Sequence, residues 1–263
     1  MRRTQQRTQR RNQRRTQPRR PRPAPLATAL ALLALGSAAP PAAAWEVRDD
    51  APAAAFGEFH RRFAFSAYHF PRREAAPLGL TGFEIYVDLA ADRDFDEQGF
   101  YPQVVDGGLP GGTLGVARVG VRKGLPGNVD LGLAYGQAID GDLELLSADV
   151  LWAFVDGGAV TPALALRLTA TRSLGGSPYE LEQYGGELMI SKGFPVLTLY
   201  GGVGWYSADG TLDRSDGGRL GADADGEVYY AGVIVNLVIL PKLTFEAEQG
   251  EAFQVAAKIG IGF

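Results

Sequence analysis

The sequence predicts an all-β chain: an up-and-down antiparallel β-barrel of about ten strands (eight to twelve), preceded by a short amphipathic helix. Three observations carry this. From Gly79 onward apolar and polar residues alternate with period two, the strand signal. Thirty-five glycines among 263 residues follow no collagen-type period and point to turns and strands. A mean hydropathy of −0.07, with no apolar run near the ~18 residues a spanning helix needs, excludes a helical membrane protein.

The first 44 residues read as an address. Met1–Arg22 is a low-complexity Arg/Gln/Thr run, Leu26–Leu35 an apolar core, and Ala42-Ala43-Ala44 an A-x-A exit before Trp45. These are the three parts of a secretory signal peptide, and cleavage is expected after Ala44. A nucleic-acid-binding basic arm and a twin-arginine signal compete, but the apolar core directly behind the arginines favours secretion. The formal charge of −4 conceals the division: residues 1–44 carry ten Arg and no acid, which leaves 16 basic and 30 acidic side chains, about −14, in the rest. Such a chain lacks the clustered cations nucleic acid requires. The absence of Cys excludes a disulfide framework, a thiolate metal site and a Cys nucleophile.

Residues 45–78 do not alternate. Ala55, Phe56, Phe59, Phe63 and Ala67 fall at helical spacing, with Glu58, Arg61 and Arg62 elsewhere on the wheel. This periplasmic N-terminal segment is expected to lie on the inner leaflet or to plug the lumen. The competing reading is a strand at Phe63–Tyr68 paired within Gly99–Val105, which would make twelve.

Residues 79–263 form the expected barrel. Its segments are centred on Phe83–Leu89, Ala117–Arg122, Val129–Tyr135, Leu146–Phe154, Leu164–Ala170, Tyr184–Ser191, Leu197–Trp205, Tyr229–Ile239, Leu243–Glu248 and Phe253–Phe263. Tight turns at Gly124–Asn128, Asp156–Gly158, Gly193–Pro195 and Pro241–Lys242 interleave with connections at Ala91–Gly112, Asp140–Asp142, Ser173–Pro178, Ala208–Gly226 and Gln249–Glu251. Short turns at one end and generally longer loops at the other are the pattern of transmembrane barrels, whose even strand number brings both barrel termini to the periplasmic side.

Alternation alone suits a soluble sandwich equally well. Aromatics near strand ends (Tyr135, Trp152, Phe154, Tyr184, Trp205, Tyr229, Phe253, Phe263) favour an interfacial girdle. The last segment, with Phe253, Val255, Ala257, Ile259, Ile261 and Phe263 on one face, resembles the C-terminal assembly signal of bacterial outer-membrane β-barrels. The resemblance implies recognition by the barrel-assembly machinery and residence in the bacterial outer membrane among its lipids and lipopolysaccharide. The helix-then-barrel order faintly resembles the outer-membrane lipid A palmitoyltransferase, but no catalytic motif carries over.

In a membrane barrel the polar face is the lumen. That face carries Glu84, Asp88, Arg118, Arg122, Asp130, Asp149, Arg167, Glu187, Glu246 and Lys258. These charges either neutralise one another and fill a narrow barrel or line a selective pore. His60 and His69, the two imidazoles, are candidate general bases; both precede the barrel and read as exposed or interfacial. The acidic loops Ala91–Gly112 and Ala208–Gly226 read as solvated outer loops, since their spacing fits no EF-hand. Gly201, Gly202 and Gly204 precede no helix and make no phosphate loop. No metal or cofactor is expected. The leading function is a non-enzymatic structural barrel or narrow passive channel, ahead of a surface-binding or adhesion barrel and a lipid-modifying enzyme.

Overall fold

Period-two segments joined by turn residues form a closed sheet. The computed structural model of the chain describes residues 45–262 except 176 and 238–240. The expected signal peptide, Ile239 of one expected strand and Phe263 of the expected assembly signal lie outside the described residues.

Two small elements precede the barrel: β1 (Glu46–Val47) and α1 (Ala53–Ala67). The barrel begins with β2 (Phe83–Asp92). A long connection follows, holding α2 (Tyr101–Val104) and β3 (Val105–Asp106), which pairs with β1. The remaining strands are β4 (Leu114–Leu125), β5 (Val129–Ala138), β6 (Glu144–Val155), β7 (Ala163–Leu174), β8 (Tyr179–Gly193), β9 (Leu197–Asp213), β10 (Arg219–Asn236), β11 (Lys242–Gln249) and β12 (Phe253–Gly262). Each barrel strand pairs antiparallel with its predecessor, and β12 closes onto β2, so ten strands leave no edge. All ten expected segments fall on strands, with the expected Tyr229–Ile239 running past the end of β10 at Asn236.

Two expected loops change. Ala208–Gly226 is mostly sheet: β9 and β10 run 17 and 18 residues and only 214–218 turns. Ala91–Gly112 begins inside β2 and carries α2 and β3. Asymmetry between the barrel ends therefore comes from this one connection and from the ends of β8, β9 and β10 that protrude beside it. Period two could not reveal it, because polar residues on both sides of the Asp/Gly-rich stretch mask a strand. The alternative strand at Phe63–Tyr68 is helix through Ala67, and Val105 pairs with Val47 instead.

Large apolar side chains point outward along the strands: Leu133, Leu168, Leu188, Val203 and Ile261 are each exposed. Tyr184 within β8 and Phe194 just past its end are exposed on that face. Ten residue steps at about 3.3 Å, tilted about 40°, separate them by roughly 25 Å, the height of a bilayer-spanning apolar band.

Candidate functional site

The interior is filled by the chain's own residues 53–78, and residues 45–52 lie at one mouth of the barrel. Trp45 lies at the long-loop end, where its N–H and Nε1 donate to the carbonyls of Asp140 (2.9 Å) and Ile139 (3.0 Å). The segment then crosses the lumen and leaves at the short-turn end, where the Gly124 N–H donates to the Gly82 carbonyl at 3.1 Å just before β2. Of the two expected positions for α1, the lumen is the one observed: Phe56, Phe59, Phe63 and Phe65 are buried.

The half around α1 is aromatic. Phe59 stacks on Phe63 at 5.5 Å between ring centroids and meets Phe95, Phe100 and Tyr179 edge-on at 5.4–6.2 Å. His60 is buried here rather than exposed or interfacial. Its Nε2 faces the Ala208 carbonyl at 3.1 Å and its Nδ1 lies 2.8 Å from the Tyr179 hydroxyl. A carbonyl only accepts, so Nε2 carries the proton and Nδ1 accepts from Tyr179. At the side of α1, Arg62 grips the Asp92 carboxylate with two hydrogen bonds (2.6 and 2.8 Å), and Ser66 adds a third at 2.8 Å.

Beyond Ala67 the chain is no longer helical, and its carbonyls need donors. The barrel supplies arginines. Arg118 donates to the carbonyls of Ala67 (2.8 Å) and Tyr68 (3.2 Å), Arg167 to His69 (2.7 Å) and Arg122 to Pro71 (2.8 Å). Cations at a helix C-terminus also complement its dipole. Each arginine has a carboxylate nearby. Arg167 lies 2.8 Å from Glu187 and 3.3 Å from Asp149, Arg122 lies 3.0 Å from Glu84, and Arg118 lies 3.7 Å from Asp88. Glu187 is held further by the hydroxyls of Tyr68 (2.7 Å) and Tyr230 (3.0 Å). Gly120 faces Tyr86 across β2 and β4, and a Cβ there would enter the ring. The bare glycine lets Tyr86 lie under Arg122, 4.4 Å from ring centroid to guanidinium carbon.

The plug carries charge of its own. Arg72 donates to Asp88 (2.8 Å) and Glu248 (2.7 Å) and lies 3.8 Å from Glu246. Arg73 pairs with Asp130, which also accepts from the Leu78 N–H at 3.0 Å. On the barrel wall, Lys258 of β12 donates to Glu84 of β2 at 2.7 Å.

All ten charges expected to face the lumen are buried, and the contacts above bring them into one network with the plug. Sequence reasoning missed Asp92, Glu248, Arg72 and Arg73. Asp92 was legible, since it continues the four-residue spacing of Glu84 and Asp88, and Glu248 shares the parity of Glu246. Arg72 and Arg73 had no signal, because burial of an irregular segment leaves no period. His69 is buried as well, 3.3 Å from the Tyr86 hydroxyl and 3.7 Å from Asp149, not exposed as expected. Phe253, Val255, Ala257, Ile259 and Ile261 face outward.

An apolar outside and a charged inside invert a soluble barrel, so the geometry defines a small transmembrane β-barrel of the outer-membrane type. No protein-family model matches the chain, and no curated protein matches it. Solved structures with a likeness include bacterial outer-membrane and surface proteins. A loop-deletion mutant of OmpT, an outer membrane protein of Vibrio cholerae, is 12% identical with a TM-score of 0.31, covering 60% of this chain and 57% of that one. Neisserial surface protein A is 10% identical with a TM-score of 0.30, covering 68% and 95%. Ail, the attachment invasion locus protein of Yersinia pestis, solved with a heparin analogue, is 13% identical with a TM-score of 0.31, covering 69% and 98%. The class rests on the closed strand pairing and the inverted faces, not on these likenesses.

Proposed function

We propose that the protein is a non-enzymatic, plugged barrel of the bacterial outer membrane, with its short turns in the periplasm and the turns of the β7–β8 and β9–β10 hairpins outside. The observation that carries this reading is the occupied lumen. Residues 53–78 fill it with an aromatic-packed helix and an ion-paired segment whose backbone groups are bonded to barrel side chains. Both imidazoles are engaged in that interior packing, which favours a structural role over general-base chemistry. Lipid and lipopolysaccharide are the surroundings the outward face fits, and the barrel-assembly machinery is the route the last strand suggests.

The test is ion conductance of refolded protein in a planar bilayer, with the gel shift between heated and unheated samples as folding control. Folded, inserted and silent protein is the expected result. Discrete steps reshaped by Arg118→Gln and Arg122→Gln would overturn the plugged reading in favour of a passive channel. A surface-binding reading is favoured by one observation, the length of β9 and β10, which carries them past Trp205 and Tyr229 of the aromatic girdle.

A further inference from the structure

We propose that the chain threads its own barrel, so that residues 45–50 lie at the outer end of the barrel, Glu46 and Asp50 exposed there, while the segment behind them crosses the membrane through the lumen. The inference rests on the orientation proposed above, short turns inward. Four contacts place the start of the described chain at the opposite end. Trp45 bonds into the 139–143 connection. Glu46 and Val47 pair with Asp106 and Val105, in the long connection after β2. The Arg48 N–H donates to the Val104 carbonyl at 2.7 Å. Arg214, in the turn between β9 and β10, donates to the Ala51 carbonyl at 3.3 Å.

The other end of the segment is equally fixed. Lys123 donates to the Leu80 carbonyl at 2.6 Å, and β2 starts beside the tight 126–128 turn. A ten-stranded barrel brings its first and last strands to the periplasmic side, yet this chain reaches its first strand from outside. Arg72 further ties the segment to both neighbours of the closing strand, Asp88 on β2 and Glu248 on β11, with β12 between them. An aromatic helix as wide as α1 cannot slide through a finished, side-chain-filled barrel. The barrel therefore closes around the segment, and closure carries the start of the mature chain across the membrane. Cleavage after Ala44, as the sequence suggests, would leave the amino group of Trp45 on the cell surface.

The protein has no cysteine, so single-cysteine labelling is clean. Glu46→Cys reports the start of the segment, Ser215→Cys the long-loop end and Val160→Cys, fully exposed, the short-turn end. Each full-length variant is treated on intact cells with a membrane-impermeant maleimide, then again after the outer membrane is permeabilised. Only variants that keep the heat-dependent gel shift are scored. Glu46→Cys and Ser215→Cys are expected to label fully on intact cells, and Val160→Cys only after permeabilisation. Label at Ser215→Cys with none at Glu46→Cys before permeabilisation overturns the threading alone. Label at Val160→Cys with none at Ser215→Cys on intact cells inverts the barrel and overturns the proposed orientation with it.

Discussion

Around α1 the lumen is lined by aromatic rings, whereas around residues 68–78 it is lined by charges, and the difference follows from the backbone each half encloses. A helix satisfies its own N–H and C=O groups, so apolar side chains can surround it. An irregular segment at membrane depth is tolerated only where protein groups take up its backbone polarity. Arg118, Arg122 and Arg167 do so for four carbonyls between Ala67 and Pro71. At the far end Ser191 and Asp130 accept the N–H groups of Ala75 and Leu78. Each arginine brings a charge, and each charge requires a carboxylate. The ion-pair network is thus a consequence of an unfolded helix end, and it need not imply a pore.

The strongest way to break this comparison is to remove a donor from the charged half. Arg167→Met strands the His69 carbonyl together with Glu187 and Asp149. Breaking a buried pair by removing one partner costs about 3–5 kcal/mol. The urea midpoint of the gel-shifted species should fall accordingly, or folding should fail. Adding Glu187→Gln and Asp149→Asn should restore part of the loss, as a purely steric effect of the methionine would not. In the aromatic half, Phe59→Ala should cost about 3 kcal/mol through the cavity it leaves, with no recovery from any charge change. If instead Arg167→Met were neutral and Phe59→Ala lethal, the plug would be held by packing alone.

The two halves differed in legibility for the same reason. Ten strands and ten lumen charges could be read because period two assigns every residue of a strand to one face. Leu188 and Glu187 are neighbours in sequence and sit on opposite sides of the wall. α1 was legible by its own period, from Phe56 to Phe63. Its site was not, since an amphipathic helix fits a leaflet and a lumen equally well. Residues 68–78 have no period at all, so Tyr68, Arg72 and Arg73 emerged only with the fold. The extension of β9 and β10 was hidden because outside the membrane both faces of a strand can be polar or small, as Asp209, Gly210 and Thr211 are.

A smaller effect lies within the aromatic half, at His60. His60→Gln removes the ring nitrogens that bond the Ala208 carbonyl and the Tyr179 hydroxyl, so the urea midpoint should fall by the equivalent of about 1 kcal/mol. An unchanged midpoint would mean that the ring is solvated and the α1 half more open than its packing indicates.

The smallest expected effect compares a lumen carboxylate with carboxylates on the outer wall. Beyond the aromatic girdle Glu182, Asp209 and Asp223 lie directly opposite one another across β8, β9 and β10, all exposed. Arg172 of β7 stands at one end of the row, opposite Glu182. Like charges in directly opposed positions destabilise a sheet by about 0.2–1 kcal/mol, and salt screens exposed charges. Asp209→Asn should raise the urea midpoint slightly at low ionic strength, and the gain should vanish at high salt. Asp149→Asn, on the inner wall, should lower stability at either ionic strength, because it weakens a buried partner of Arg167. The same chemical change would then have opposite signs on the two sides of one sheet. Whether a carboxylate stabilises this barrel is decided by the side chain opposite it and by its access to water. If both variants responded to salt alike, the lumen would be hydrated well enough to screen its charges, and the plug would be looser than its contacts imply.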